Sequence, residues 1–523
     1  MDTTYVVGLI LGSIFVVLIP RIWSVLASVL WRPYVISKKF RDQGIEGPEY
    51  KLWVGSTEEI KRMKREAQGI VLDIHSHDFT TRILPHYPKW ISQYGGTFLF
   101  WFGPRPTLAI TNPDMVKQVL SNKFGFYAKN DPHPNIQALL GKGLVLTNGQ
   151  DWARHRRVVN PAFTMDKLKM MTTKMAQIAR SMMEEWETQM IQNENKEAEV
   201  DLSLQFQELT ADVISHTAFG SSYKEGKEVF LAQKDLQILA MNNILNVQIP
   251  GFKYLPTSKN LQKWELERKV RTMLMQIIQS RLNTKETGYG NDLLGLMLEA
   301  CTSTDHRDEK REDSRLSMDE IIDECKTFFF AGHETTSHLL TWTMFLLSTH
   351  HEWQERLREE VMRECGNEVP NADMLSKLKL VTMVLFETLR LYGPVVQLQR
   401  KTAKDMELAG LKIPRGTVVA MPIMMMHRDK VVWGADADKF DPSRFENGVS
   451  RAANHPNALL SFSIGPRSCI GQNFAMLEAK TVVAMLLQRF SFTISPKYVH
   501  APNDVLTLQP KFGLPTVLKP LHV

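Results

Sequence analysis

Residues 462–471 read Phe462-Ser-Ile-Gly465-Pro-Arg467-Ser-Cys469-Ile-Gly471, and the stretch they lead into, GQNFAMLEAKTVVAMLLQRF (471–490), carries the apolar stripe of an amphipathic helix. A cysteine in this setting sits at a helix N-terminus, where the partial positive charge of the free N–H groups favours a thiolate. Arg467 adds a positive charge two residues away, the glycines permit tight turns, and Phe462 can cover the sulfur. An isolated buried cysteine is usually only a small hydrophobe. The joint presence of Phe, Gly, Arg, Cys and Gly makes Cys469 a ligand candidate. The other cysteines, Cys301, Cys325 and Cys365, are widely spaced and form no C-x-x-C pair, which argues against a disulfide framework or a zinc ribbon.

Upstream lies a second informative run. Ser317-Met-Asp-Glu320 has the spacing of a capping box, so a helix starts there and continues through IIDECKTFFFAGHETTSHLLTWTMFLLSTHH. Ala331-Gly332 in its middle costs about 1 kcal/mol relative to Ala-Ala, which points to close approach by something flat or bulky. His333, Glu334, Thr335, Thr336 and Ser337 form a polar cluster between two apolar runs. A zinc-protease helix is excluded, because His338 lies five positions after His333, about 140° round the helix. Two readings remain: polar residues that satisfy one another, or a carboxylate (Glu334) and a hydroxyl (Thr335) placed to pass protons to a buried reaction centre.

The chain around these runs has 523 residues, 43% of them hydrophobic and 23% charged, which suits one large catalytic domain or two to three smaller ones and excludes disorder as the main state. A net charge of +6 over this length is far from a nucleic-acid-binding balance. Residues 5–19, YVVGLILGSIFVVLI, carry no charge, and residues 4–31 together could cross a bilayer with Arg21 near an interface. The alternative, a cleaved signal, lacks a basic n-region and would have an over-long apolar stretch. Arg32, Lys38, Lys39 and Arg41 follow the span and only Asp2 precedes it, so the positive-inside rule puts everything after residue 32 in the cytosol. No N-x-[ST] sequon occurs, which agrees with that orientation. Beyond a turn-rich linker (42–56), segment 95–111 reads as a strand pair with a Gly-Pro turn. Helical patterns fill most of 113–390, as in 165–190 and 261–282, with solvated loops at 192–200 and 302–315, and strand-like pieces return at 394–424. The expected architecture is an anchor (1–32) and one domain (33–523), mainly α with a small β region.

The motif F-x-x-G-x-R-x-C-x-G resembles the haem-binding signature of the cytochrome P450 monooxygenases at every fixed position. Ala331-Gly332-His333-Glu334-Thr335-Thr336 is similar to that family's oxygen-activation motif, Glu387-Thr-Leu-Arg390 to its E-x-x-R motif, and Phe440-Asp-Pro442-Ser-Arg444-Phe445 to the Pro/Arg/Phe motif that follows, all in the family's order. The resemblance implies the cytochrome P450 fold and haem b bound through Cys469. It also implies propionate contacts from Arg467, Trp152, Arg156 and Arg400, and a scaffold ion cluster of Glu387, Arg390 and Arg444. Glu334 and Thr335 become the proton-delivery pair. Gly141-Lys-Gly143 and Gly288-Tyr-Gly290 lack the third glycine of a dinucleotide fingerprint. Electrons are therefore expected from a membrane-bound NADPH–cytochrome P450 reductase, with cytochrome b5 as a further candidate donor, at the endoplasmic reticulum. Stretches such as ILPHYPKWISQYG (83–95), LTADVISHTAFGSSYKEGKE (209–228) and DECKTFFFAGHETTS (323–337) resemble the plant clan of cytokinin hydroxylases, brassinosteroid-inactivating enzymes and terpenoid oxidases, and a plant branch associated with fatty-acid hydroxylation. Gly393 departs from the clan, most of which has a proline there. Pocket segments are expected at 125–145, 230–260, 394–400 and 505–510, largely apolar, for a small apolar or amphipathic substrate. An oxygen-independent haem-thiolate isomerase or dehydratase, and a haem-containing binding protein without turnover, stay open as alternatives.

Overall fold

The structure is a computed structural model that describes residues 19–193, 196–220, 223–242, 251–283, 288–290, 292–302 and 315–521. The helices that frame the site are α1 (Gly149–Val159), α2 (Met165–Gln192), α3 (Leu202–Phe219), α4 (Tyr223–Met241), α5 (Ser258–Asn283), α6 (Met318–Thr349), α7 (His351–Cys365), α8 (Lys379–Tyr392) and α9 (Gln472–Arg489). The expected capping box is formed: Ser317 Oγ accepts from Glu320 N at 3.3 Å and Glu320 Oε2 accepts from Ser317 N at 2.7 Å. Helix α6 then runs for 32 residues, about 48 Å at the rise of an α-helix, and is buried along most of its length. It packs against α3, α8 and α9, so it is the element round which the others are arranged. Helix α9 buries Phe474, Leu477, Val482, Val483, Leu486 and Leu487 against α2, α6, α7 and α8.

The main sheet has the order β1 (Thr97–Phe102), β2 (Arg105–Ile110), β8 (Val418–Met421), β5 (Leu398–Thr402) and β3 (Tyr127–Ala128). Its β1–β2 hairpin turns at Gly103-Pro104 as expected, and only the β2–β8 pairing is parallel. The register places Arg400 of β5 opposite Val419 of β8. Two small hairpins, β6 (Met406–Leu408) with β7 (Leu411–Ile413) and β10 (Pro502–Val505) with β11 (Thr507–Pro510), lie outside the main sheet, the second packed against α6. A further sheet has the order β4 (Ala198–Asp201), β12 (Pro515–Pro520) and β9 (Phe490–Ile494). Strand β4 corrects the expected loop at 192–200: Ala198 and Val200 are buried between exposed Glu199 and Asp201, paired with 515–518 far along the chain. Four residues of alternation are too few to register as a strand without that partner. The mainly helical domain with a small β part otherwise agrees with expectation.

Residues 1–18, which hold most of the expected anchor, and 303–314, which hold most of the expected loop at 302–315, lie outside the described residues. From residue 19 the chain is helical up to Arg41 and exposes Ile22, Trp23, Leu26, Leu30, Trp31 and Tyr34. Its far end is tied down, with Ile36 and Phe40 buried in the apolar core under the main sheet. Among the described residues no helix is long and apolar enough to cross a membrane.

Candidate cofactor and proton-delivery site

Three backbone bonds shape the cysteine loop: Ser463 N to Leu460 O at 2.8 Å, Ser468 N to Gly465 O at 3.0 Å and Cys469 N to Phe462 O at 2.9 Å. Gly465 has φ +77° and a Cβ built on it would overlap the Leu120 carbonyl, so the position demands glycine twice over. Gly471 is different. Its φ is −88° and a Cβ there would make an ordinary contact 4.0 Å from Cys469 Sγ. Cys469 itself is exposed, so Phe462 meets the loop through its carbonyl and does not seal off the sulfur. Burial nevertheless pushes the thiol pKa up, against the opposing pull of the Gly471 N–H and Arg156. Both facts hold if the sulfur opens on a recess ringed by protein rather than on bulk water. In such a recess a bound metal, more than the helix terminus, would make the thiolate, since coordination deprotonates a thiol outright.

Cations from four parts of the chain converge near this loop. Arg156, on α1, donates Nη1 to the Ser468 carbonyl at 3.2 Å. The Arg467 guanidinium lies 4.8 Å from the Trp152 ring centroid and donates to the Thr147 carbonyl and, at 3.3 Å, to Asn148 Oδ1. Asn148 Oδ1 also accepts the backbone N–H of Lys129 at 2.8 Å. Arg400, only 3% exposed, donates to its neighbour's carbonyl, Gln399 O, at 2.9 Å. The acceptors of the three arginines are all neutral oxygens, and among the described residues no carboxylate pairs with any of the four cations. Burial lowers the pKa of all four, and neighbouring cations add to it at Lys129 and Arg467. Burial, then Arg400 and Arg467, lowers Lys129 to about 7. Burial, then Arg400, lowers Arg467 to about 10, and burial alone does the same for Arg400. Buried like charges without counter-ions are unfavourable. A group bearing two carboxylates beside a thiolate-binding metal answers both needs, and haem b is such a group, so these residues fit it. Lys129 was not singled out from sequence: a lysine in a loop has no local signature, and only its approach to Arg400 and Arg467 distinguishes it.

In the middle of α6, Ala331, Gly332 and Thr335 are partly accessible while Phe328–Phe330, His333, Glu334 and Thr336 onward are buried. Thr335 Oγ1 donates to the Ala331 carbonyl at 2.9 Å, which leaves its lone pairs free to accept. At Gly332 a Cβ would come within 2.8 Å of Ile214 Cδ1, so glycine there admits the close approach of helix α3. Glu334 Oε1 accepts from Gln237 Nε2 of α4 at 2.9 Å and from Thr507 Oγ1 of β11 at 3.0 Å. Burial would raise its pKa, but His338, His333 and these two donors together hold the carboxylate below its ordinary range. Glu334 and Thr335 are neighbours in sequence whose side chains leave the helix about 100° apart and keep separate partners. Gln237 and Thr507 could not be anticipated, because they reach Glu334 from positions remote in the chain.

The E-x-x-R pair closes on itself inside the core: Arg390 Nε and Nη2 meet Glu387 Oε2 and Oε1 at 2.7 and 2.6 Å. Arg390 also donates to the carbonyls of His427, Ala437 and Lys439. Arg444 joins, with Nε 3.6 Å from Glu387 Oε1 and Nη2 2.7 Å from Asp436 Oδ2. Gly393, at the end of α8, has φ −54° and ψ 134°, which a proline could adopt, yet a Cβ there would lie 2.6 Å from the Leu389 carbonyl. The chain is drawn in against its own helix end at that point. A second polar cluster escaped notice from sequence. His155 of α1 contacts Glu324 at 2.5 Å and Glu320 at 3.3 Å on α6, and Arg154 grips Glu320 through both nitrogens.

A family model described as Cytochrome P450 matches residues 70–517. Cytochrome P450 709B1 of Arabidopsis thaliana is 50% identical, with 98% of this chain and 100% of that protein covered. Cytochrome P450 734A1 of the same plant is 41% identical over 94% of this chain and 93% of its own. Secologanin synthase 1 of Catharanthus roseus is 40% identical over 100% of this chain and 99% of its own. A match of this extent, in a chain whose exposed thiol and unbalanced cations suit a dicarboxylate haem, shows that the protein belongs to the cytochrome P450 family, the haem-dependent monooxygenases, and to its plant members.

Proposed function

We propose that this protein is a membrane-anchored plant monooxygenase that hydroxylates a small apolar or amphipathic molecule, such as a fatty acid, terpenoid or hormone-like compound. Its electrons come from an NADPH-dependent reductase, with cytochrome b5 as a second candidate donor. The observation that carries the reading is the exposed Cys469 thiol near Lys129, Arg156, Arg400 and Arg467, four cations without a carboxylate partner among the described residues. The anchor is residues 1–32 and the catalytic domain 33–523, held on the cytosolic side of the endoplasmic reticulum. The exposed apolar face of residues 19–34 and the basic residues after it support that placement. Likeness to a protein named secologanin synthase supports a small plant metabolite as substrate.

Haem, when bound, supplies the activation of dioxygen and the oxidation of an unactivated carbon; the protein supplies ligation, orientation and protons. Cys469 would hold the iron as thiolate. Arg156, Arg400 and Arg467, with Lys129 beside them, would balance the two propionates, with the Trp152 ring against the Arg467 guanidinium to fix its fork. Thr335 would accept a hydrogen bond through the lone pairs left by its bond to Ala331, and Glu334 would pass protons inward. The scaffold cluster of Glu387, Arg390 and Arg444 holds the segment before the cysteine loop.

Two measurements test this. Reduced wild type under carbon monoxide should show the red-shifted Soret band of thiolate ligation, and Cys469→His should lose it; persistence of the band in Cys469→Ala would remove Cys469 as ligand. Thr335→Ala is conformationally mild, so haem content should hold while product per NADPH falls and peroxide rises. Equal product ratios would take Thr335 off the list. A screen of fatty acids, terpenoids and plant hormones for a low-to-high-spin shift identifies the substrate class.

A further inference from the structure

The carboxyl of Glu334 has an unusual neighbourhood. His333 Nδ1 faces the Phe329 carbonyl, which can only accept, so that nitrogen carries the hydrogen of the neutral ring. Its other nitrogen, Nε2, is therefore a bare acceptor, and it lies 3.6 Å from Glu334 Oε2. Oε1 already accepts two hydrogen bonds, from Gln237 and Thr507. Burial lowers the His333 pKa, so the ring does not hold a second proton on its own; an ionised Glu334 beside that ring sets two lone-pair atoms against each other in a buried place, and a proton shared between Oε2 and Nε2 relieves the contact. On the other flank, His338 Nε2 is 4.0 Å from Oε1; the ring is fully buried and neither nitrogen has a hydrogen-bond partner among the described residues. Gln509 approaches this ring without a well-aligned bond to either nitrogen. The other charged group acting on these rings is Lys234 of α4, while Thr210 of α3 bonds the His333 carbonyl. No group of side chains with metal-holding geometry occurs among the described residues, so the two histidines are not a metal site.

We propose that His333, Glu334 and His338 form a shared proton store that feeds Thr335, with His333 as the entry and His338 as a positioning residue that sets the proton affinity of the carboxyl. In each cycle the His333 Nε2–H bond breaks as the Glu334 Oε2–H bond forms, Glu334 gives that proton up toward Thr335, and water at the slightly exposed edge of His333 replaces it. The inference rests on the reading of Glu334 and Thr335 as the delivery pair and adds the two histidines to it.

The test uses haem-loaded enzyme with its reductase and no added substrate, so that NADPH electrons end in peroxide or, with full protonation, in water. Peroxide per NADPH is measured across pH 5 to 9 (about the range over which histidine titrates) for wild type, Glu334→Gln, His333→Leu, His333→Gln, His338→Leu and His338→Asn. Infrared spectra, carried down to about pH 3 because the Glu334 carboxyl titrates below its ordinary range, follow the carbonyl stretch of protonated Glu334, identified by its loss in Glu334→Gln. Removing either histidine should raise the peroxide fraction at least twofold and move the Glu334 titration to higher pH, because both rings help to hold the carboxyl down against the effect of burial. The glutamine and asparagine variants, which keep the side-chain volume and polarity, guard against a folding failure in the leucine variants. If Glu334→Gln changes the peroxide fraction while every folded histidine variant matches wild type in both readouts, the store is refuted and the delivery pair stands. If Glu334→Gln itself changes nothing, both fall.

Discussion

Gly465 and Gly471 flank the same cysteine and look equivalent in the motif, yet they do different work. Gly465 needs a left-handed backbone, which costs about 1–2 kcal/mol for any other L-residue, and it also passes against the Leu120 carbonyl. Gly465→Ala should therefore lose most haem incorporation, seen as a drop in the Soret-to-protein absorbance ratio. Gly471→Ala should retain near-wild-type haem content, since its φ is ordinary and its Cβ would only touch the sulfur. Equal losses in both variants would show that the carbonyl contact at Gly465 is not what the loop depends on.

Helix α6 depends at its start on a carboxylate with three duties. Glu320 closes the capping box, accepts both Arg154 nitrogens and touches His155. The Arg154 contact foremost brings its pKa down from 4.5 to about 2. The folded pKa is below the unfolded one, so the contribution is present in full above about pH 4.5 and is lost as pH falls toward 2. Because Glu320 is partly exposed, solvent screens the effect and its size is modest. Glu320→Gln should lower the unfolding temperature at neutral pH and flatten its fall between pH 5 and 3 (about the span of this titration). Parallel curves for variant and wild type, by circular dichroism at each pH, would count against this account.

Across the whole molecule, one buried ion cluster joins helix α8 to the long segment before the cysteine loop. Glu387 and Arg390 are both fully buried at their side chains, Arg444 Nε lies 3.6 Å from Glu387 Oε1, and the backbone N–H of Asp441, 54 positions after Glu387, donates to the same oxygen at 2.9 Å. Removing one partner strands the others, at a cost of about 3–5 kcal/mol. Glu387→Ala should accordingly fall sharply in thermal half-life and haem retention, more than any exposed-pair variant such as Lys61→Ala, whose partner Glu58 is solvent-exposed. The orientation of the molecule is tested on intact microsomes: protease added outside should digest the chain down to its anchor, and full protection would place the domain in the lumen.

Much of this was readable along the chain because it rests on short-range geometry. The capping box at Ser317–Glu320, the length of α6, the Gly-Pro hairpin at 103–104 and the start of α9 after Cys469 follow from bonds between residues a few positions apart, so their patterns survive in sequence. The cysteine motif, matched position by position, carried the family with it. Other features had no local trace. Strand β4 exists because 515–518 pairs with it, and Gly332 is small because Ile214 of α3 comes close. Lys129 matters because Arg400 and Arg467 approach it, and Glu334 is held by Gln237 and Thr507 from either side. Charge convergence and packing distance are properties of folded space: they depend on which remote segments arrive together, and the order of residues along the chain does not encode that at any single position.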